Sequence, residues 1–553
     1  MAAINRTILG RCLDRWFAWT RGLPAERCNY SMQDLKIPID TKNKVTAKLY
    51  LPLDYKPCGT ILIRTPYGID LLSSLPLARM WAARGYQVLL SSCRGTAGSD
   101  DELVPGVNEA NDGAAVVTWM RDQHWYSGSF AMLGGSYLGY TQWAILRDPP
   151  SDFKAAVIHT GVHSFHDLIW GTGALGSFII AWADLASFMN RGVGFIRTIL
   201  HFKSQNKRLK PVYDTVPLLG AIEQHFEGDP PTWLRNFITN PEATSEVWKE
   251  DNVADALRKA NIPIFLTAGW DDLILPQVMQ QYSALTGRNC PVALTIGPWT
   301  HLGAQRQSKL SDTLAWLDQH IAGLEGNTRR APVQVYVTGA SEWRDLARWP
   351  PPSQSYELFL RVGGKFTVEP PSPSDTTSTS FTFDPADPTP SVGHPLLFDD
   401  GPGRAGGNTA LATRKDVLTF TTEPLDSDLE VCGQPLLEIH HSTSSPHADL
   451  LVLMNEVDAK GFSRGISEKY MRLPIPRDSG AIEVILTDCA HRFRKGSRIQ
   501  VIVAGGSHPK YLRNLGTEEN AVTGVEMQKV EHTVHHGSSM VSRLVLPVTP
   551  IDK

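Results

Sequence analysis

Residues 130–139 read Phe130-Ala131-Met132-Leu133-Gly134-Gly135-Ser136-Tyr137-Leu138-Gly139 and run into the helix-compatible stretch Tyr140 to Leu146. Continuous apolarity over Phe130 to Leu133 suits a strand covered on both faces. The glycines beside it permit a tight turn with closely approaching backbone. A serine on such a strand-to-helix turn has its hydroxyl forced out over the sheet edge, which makes Ser136 a candidate nucleophile. The elbow pattern for such a serine is G-x-S-x-G, and here the second glycine comes one position late. A glycine-rich turn cradling a phosphate is the competing reading, but its G-x-G-x-x-G spacing is not matched.

Outward from this turn, similar short apolar runs recur at Thr60 to Ile63, Val88 to Leu90, Ala155 to Ile158, Ile262 to Thr267 and Val292 to Ile296. Helix-compatible stretches such as Leu75 to Arg84 and Asn111 to Gln123 lie between them, giving a doubly wound α/β pattern around a parallel sheet. From about 165 to 250 the rhythm breaks into helical sequence rich in Trp and Phe, read as an inserted cap. Past about 330, Pro, Ser and Thr increase and alternating strands such as Leu436 to His440 and Ile499 to Val503 appear. Closely spaced turn signals between them argue a β-sandwich.

A serine hydroxyl attacks well only when a base takes its proton, so a carboxylate and a histidine are expected later in the chain. The run Ile262 to Thr267 ends in Ala268-Gly269-Trp270-Asp271-Asp272, and Val292 to Ile296 ends in Gly297-Pro298-Trp299-Thr300-His301. Both place candidate side chains just past a strand's carboxyl end, where open α/β sheets gather their functional groups. Between Asp271 and Asp272 the residues alone do not decide.

Composition narrows the function further. The 553 residues carry 53 Lys+Arg against 57 Asp+Glu, a formal charge of -4, so no basic field holds nucleic acid. Seven cysteines without a C-x-x-C pair suggest neither a disulfide framework nor a zinc site, and favour a reducing compartment. Near the N-terminus, Ile8, Leu9, Cys12, Leu13, Trp16 and Phe17 recur at helical spacing among arginines, read as a docking helix, with a mitochondrial transit peptide as the lesser alternative. The apolar stretch Leu168 to Ala183 is short of the ~20 residues a bilayer requires and holds three glycines, so it reads as buried helix. His159, His163 and His166 cluster without H-E-x-x-H or a carboxylate partner, and read as packing histidines.

Gly134 to Trp143 (GGSYLGYTQW) resembles the nucleophile segment of the cocaine esterase, X-Pro dipeptidyl-peptidase and α-amino acid ester hydrolase superfamily. Arg94 to Pro105, Gly269 to Asp272, Gly297 to His301, Phe383 to Pro388, Leu418 to Val431 and Ala490 to Arg494 are similar too, so the resemblance spans the chain from about residue 33 onward. It accounts for the late glycine, since the family pattern is G-x-S-Y-x-G. It implies an α/β-hydrolase fold with a helical cap insertion and a C-terminal, jelly-roll-like β-sandwich: a helical extension over 1–32, hydrolase domain over 33–165 and 251–328, cap over 166–250, and sandwich over 329–553. It further implies Ser136 as nucleophile, His301 as base, Asp272 as orienting acid, and an oxyanion hole of the Tyr67 hydroxyl, from Arg64-Thr65-Pro66-Tyr67, with the Tyr137 N–H.

Relatives acting on α-amino esters resemble one another in acidic residues soon after the catalytic Asp, where this chain has Leu273-Ile274-Leu275. With Trp170, Phe178 and Trp182 of the cap, Leu273 and Ile274 are expected to line an apolar pocket. The expected activity is hydrolysis of an ester or thioester of a largely apolar, uncharged acyl compound. The alternatives are a non-hydrolytic acyl-transfer or cyclisation step, small-molecule binding, and, less favoured, X-Pro dipeptidyl-peptidase action. No cofactor or metal is expected. The expected setting is cytoplasmic, with a small-molecule acyl substrate, no nucleic acid, no membrane span, and a homo-oligomer as an open option.

Overall fold

The computed structural model describes residues 3–70, 75–192, 195–251, 253–307, 310–324, 329–373, 377–392, 407–475 and 481–551. Its first sheet contains β1 (Ile4–Asn5), β2 (Asn29–Pro38), β3 (Lys44–Leu53), β4 (Thr60–Thr65), β5 (Gln87–Ser92), β6 (Phe130–Gly135), β7 (Phe153–His159), β8 (Ile264–Asp271), β9 (Val292–Thr300), β10 (Val333–Val337) and β11 (Glu342–Leu346). In space they run β1-β2-β3-β5-β4-β6-β7-β8-β9-β10-β11. From β5 to β10 neighbours are parallel, and the pairs at both edges are antiparallel. The central strands are buried along nearly their whole length, as continuous apolar runs require. Toward the first edge the burial is interrupted, β3 alternating over Val45, Ala47 and Leu49 before burying Tyr50 on its other face.

Two segments differ from the expected partition. The stretch expected as a helical extension does form the helix Ile8–Thr20, but it also supplies β1 and opens β2, so it closes one sheet edge. At the other edge, β10 continues the hydrolase sheet by pairing Val333–Val335 with Leu294–Ile296 of β9, and β11 pairs with β10. Residues 333–346 therefore lie in the first sheet, although their alternating pattern reads as sandwich.

The cap follows β7 and contains the helices Phe165–Trp170, Phe178–Asn190, Phe195–Asp214, Leu218–His225 and Thr232–Thr239. Asp184 ties the second, third and fourth of these together, accepting from His201 Nε2 at 2.9 Å, His225 Nε2 at 2.9 Å and Arg208 Nη2 at 2.8 Å. Burial pushes its carboxyl up, but the His225 and Arg208 contacts outweigh this and hold it well below the usual carboxylate range.

From Gln354 to Thr549 the chain is β-rich, largely antiparallel, and wrapped around an apolar core that includes Leu358, Phe420, Ile439, Val452 and Val501. This domain is docked by backbone bonds. Leu512 N donates to Leu175 O at 2.8 Å, Arg472 N to Thr172 O at 2.7 Å and Leu219 N to Val522 O at 3.0 Å on the cap side, while Thr338 N donates to Ala490 O at 2.9 Å beside the hydrolase sheet. Among the described residues, no helix is long and apolar enough to cross a membrane.

Candidate active site

Ser136 follows β6 and precedes the helix Tyr137–Ile145, with φ 59° and ψ −121°. That conformation is uncommon for a residue with a side chain and recurs where function demands it. Backbone bonds pin it: Ser136 N donates to His159 O at 2.9 Å, and Gly139 N donates to Ser136 O at 2.9 Å. The glycine three residues on is a packing requirement, because a Cβ at Gly139 would lie 2.5 Å from the Cα of Gly161. The Tyr137 N–H, first of its helix, has no intrahelical acceptor and points from the same turn.

Asp272 and His301 meet above the neighbouring strand ends. His301 Nδ1 lies 3.0 Å from Asp272 Oδ1 and 3.2 Å from Oδ2, with both residues 2 % exposed. The carboxylate also accepts from Ile274 N at 2.9 Å, which holds its orientation. Asp271 differs in kind: it is the last residue of β8 and pairs with Thr300 in the ladder, whose register shifts between Gly269 and Asp271. That shift brings β9 so close that a Cβ at Gly269 would meet Trp299 O at 2.0 Å, which explains the glycine of the Gly269 to Asp272 motif.

The Tyr67 side chain reaches the neighbourhood of Ser136 from the end of β4. Trp182 of the cap donates its indole N–H to the Tyr67 oxygen at 3.3 Å and stacks on the Tyr137 ring, centroids 5.9 Å apart and planes 5° from parallel. Burial raises the Tyr67 hydroxyl above its ordinary pKa, outweighing the opposing effect of the Trp182 indole, so it stays protonated. Beneath it, the Tyr137 hydroxyl donates to Glu109 Oε1 at 2.8 Å, and Glu109 Oε2 pairs with the fully buried Arg64 at 2.8 Å. The ion pair therefore bridges the end of β4 and the elbow helix.

The remaining expected residues are dispersed. Phe178 and Leu273 line a cleft of about 1930 Å³ between the cap, the helix Leu275–Leu285 and the C-terminal domain, which reaches Asp272. Trp170 is placed otherwise than expected: it is buried in the cap's own core and gives its indole N–H to Phe237 O at 2.8 Å. Ile274 is 1 % exposed and acts through its backbone N–H on Asp272. His159 and His163 are buried and pushed down to about 4 by desolvation, His159 bonding Thr267 Oγ1 at 2.7 Å, while His166 bonds Asp167 and Pro241 O.

Gln305 escaped the sequence reading. It lies one turn after His301 on the helix His301–Gln307, packs against Gly135, and brings its Nε2 to 3.1 Å from His301 Nε2. Its i,i+4 spacing from His301 was the available signal. With Nδ1–H given to Asp272, His301 Nε2 carries the ring's lone pair, and the Gln305 amide donates to it.

Comparison with known proteins places both parts of the chain in one family. The family described as X-Pro dipeptidyl-peptidase (S15 family) matches residues 40–303, and the X-Pro dipeptidyl-peptidase C-terminal non-catalytic domain matches residues 325–545. The cocaine esterase of Rhodococcus sp. (strain MB1 Bresler) is 26% identical, covering 94% of this chain and 99% of its own. An aminopeptidase from a marine sediment Thaumarchaeota archaeon shares the fold with a TM-score of 0.78 at 19% identity, over 94% of this chain and 97% of its own. An α-amino acid ester hydrolase does so with a TM-score of 0.78 at 22% identity, over 95% and 98%. Both halves of the chain and their arrangement thus have the same kin, and the chain belongs to the cocaine esterase, X-Pro dipeptidyl-peptidase and α-amino acid ester hydrolase family of serine hydrolases.

Proposed function

We propose that the chain hydrolyses esters or thioesters of an uncharged, largely apolar acyl compound through an acyl-enzyme on Ser136. The observation that carries the reading is the buried Asp272–His301 pair together with a serine held on a strained strand-to-helix elbow. In the forward step the Ser136 proton passes to His301 Nε2 as Oγ bonds the acyl carbon, and the carbonyl oxygen takes up negative charge. The Tyr67 hydroxyl and the Tyr137 N–H donate to that oxyanion, which discharges by expelling the alkoxide or thiolate, protonated by the imidazolium. Water then repeats the sequence and frees the acid.

The acyl preference follows from what adjoins Asp272. Leu273 and the apolar Ile274 and Leu275 stand where an α-ammonium would need a carboxylate, and leaving such a charge buried and unpaired costs ~3–5 kcal/mol. A panel of p-nitrophenyl acetate, butyrate and benzoate, matching thioesters, α-amino esters and X-Pro p-nitroanilides tests this. Neutral acyl esters or thioesters are expected to exceed their α-amino counterparts in kcat/KM by at least ~10²-fold. Preference for X-Pro anilides or α-amino esters would overturn it.

The oxyanion assignment has its own test. Tyr67→Phe keeps the ring and removes the donor, so kcat is expected to fall ~10²-fold or more with little change in KM. The Trp182 indole donates to the Tyr67 oxygen and so fixes the orientation of that hydroxyl. Trp182→Phe, which retains the stack on Tyr137, is expected to lower kcat about 3- to 10-fold, the worth of one neutral hydrogen bond, and to cost nothing further in the Tyr67→Phe background. Additive losses would separate Trp182 from Tyr67.

A further inference from the structure

The helix Ile8–Thr20 faces the protein with the wrong side for a helix in water. Its inner face buries Asp14, held by Arg6 at 3.0 Å, Arg79 at 2.6 Å and the Tyr30 hydroxyl at 2.7 Å, together with Ala18. Its outer face is apolar: Ile8 is 86% exposed, Leu9 80%, Trp19 78% and Trp16 60%, with Cys12 exposed between them and Ile4 at 63% just before the helix. At ~100° per residue, positions 8, 9, 12, 16 and 19 fall in one sector about 100° wide, the stripe an amphipathic helix normally turns inward. Two exposed tryptophans and three exposed aliphatic residues amount to roughly 600 Å² of apolar surface, the upper limit of what a monomer ordinarily shows.

We infer that this face is the interface of a homodimer, in which the Ile8–Thr20 helices of two copies pack antiparallel across a two-fold axis. Three observations choose a second copy over a lipid surface. The area approaches the ~800 Å² per partner of a stable complex. The stripe is self-complementary when reversed about position 14: Leu9 then meets the other copy's Trp19, and the small Cys12 leaves room for the other copy's Trp16, as an isologous contact requires. The flanking guanidinium groups are also turned back onto the protein rather than outward, since Arg11 and Arg15 both reach Glu26 Oε1 at 2.7 Å.

Sedimentation velocity on the full chain from about 0.1 to 50 µM, at physiological salt, tests the inference. A concentration-dependent dimer is expected, and Leu9→Glu/Trp16→Glu is expected to leave a monomer with unchanged near-ultraviolet circular dichroism and Tm, because both side chains are exposed. In such a pair the Cys12 residues lie roughly one helical turn apart along the axis at 8–10 Å interaxial spacing. A short bismaleimide should therefore give a Cys12–Cys12 linked peptide that Cys12→Ser abolishes. A monomeric wild-type chain at 50 µM, or a dimer that survives the double substitution, overturns the inference. So does flotation of a monomer with phosphatidylcholine/phosphatidylserine vesicles that the same substitutions abolish, which would assign the face to a membrane.

Discussion

Ser136→Ala is expected to lower turnover of p-nitrophenyl esters by at least ~10³-fold and to abolish labelling by a fluorophosphonate, while leaving the fold intact. The fold is expected to survive because alanine has the same Cβ as serine, so the left-handed φ of 59° costs the two alike, and the bonds from Ser136 N to His159 O and from Gly139 N to Ser136 O are made by backbone. What disappears is the one oxygen able to form the acyl-enzyme. The rate that survives would come from Tyr67, the Tyr137 N–H and binding, acting on water instead. Near-normal turnover with an unchanged Tm would remove the nucleophile from Ser136, and a collapse in Tm would show that the hydroxyl supports the elbow.

Much of this architecture was legible because burial writes itself into sequence. Strands covered on both faces must be apolar throughout, so β4 to β9 stand out as runs, and the turns after β6, β8 and β9 carry Ser136, Asp272 and His301 in readable places. β2 and β3 are partly exposed and carry no continuous apolar run to mark them, and β10 alternates as a sandwich strand does. Contacts made across the chain were hidden altogether. Nothing local says that Trp182 gives its N–H to Tyr67, 115 positions away, or that Glu109 braces Tyr137 from 28 positions before it. Trp170 was misplaced because an aromatic in a cap looks alike whether it faces the cap core or the cleft, and only the Phe237 carbonyl decides. Gln305 carries no local signal beyond its spacing from His301, because an amide on a helix is usually solvated. Its importance arises from Gly135, which lacks the side chain that would push it off His301.

Asp272→Asn is expected to reduce turnover at neutral pH by ~10⁴-fold, whereas Asp271→Asn is expected to change it less than about tenfold. Neighbouring residues on extended chain point to opposite sides, so only one of the two can address the imidazole, and it is Asp272 that stands 3.0 Å from His301 Nδ1. Asparagine there can still accept from Ile274 N through its oxygen, which preserves the loop. Its NH2, however, can donate to Nδ1 and stabilise the tautomer whose Nε2 bears the proton, leaving no lone pair for the Ser136 proton, and a neutral amide cannot offset the charge of an imidazolium buried at 2 % exposure. Asp271 is held in the ladder opposite Thr300 while Asp272 holds Nδ1, so its amide variant leaves the Asp272–His301 bond in place. The separation between the variants is ~10³-fold, or about 4 kcal/mol at 1.36 kcal/mol per decade. Paired steady-state kinetics with one neutral ester measure it directly. The reverse ranking would mean that the strand-end shift between Gly269 and Asp271 is not retained in the working enzyme.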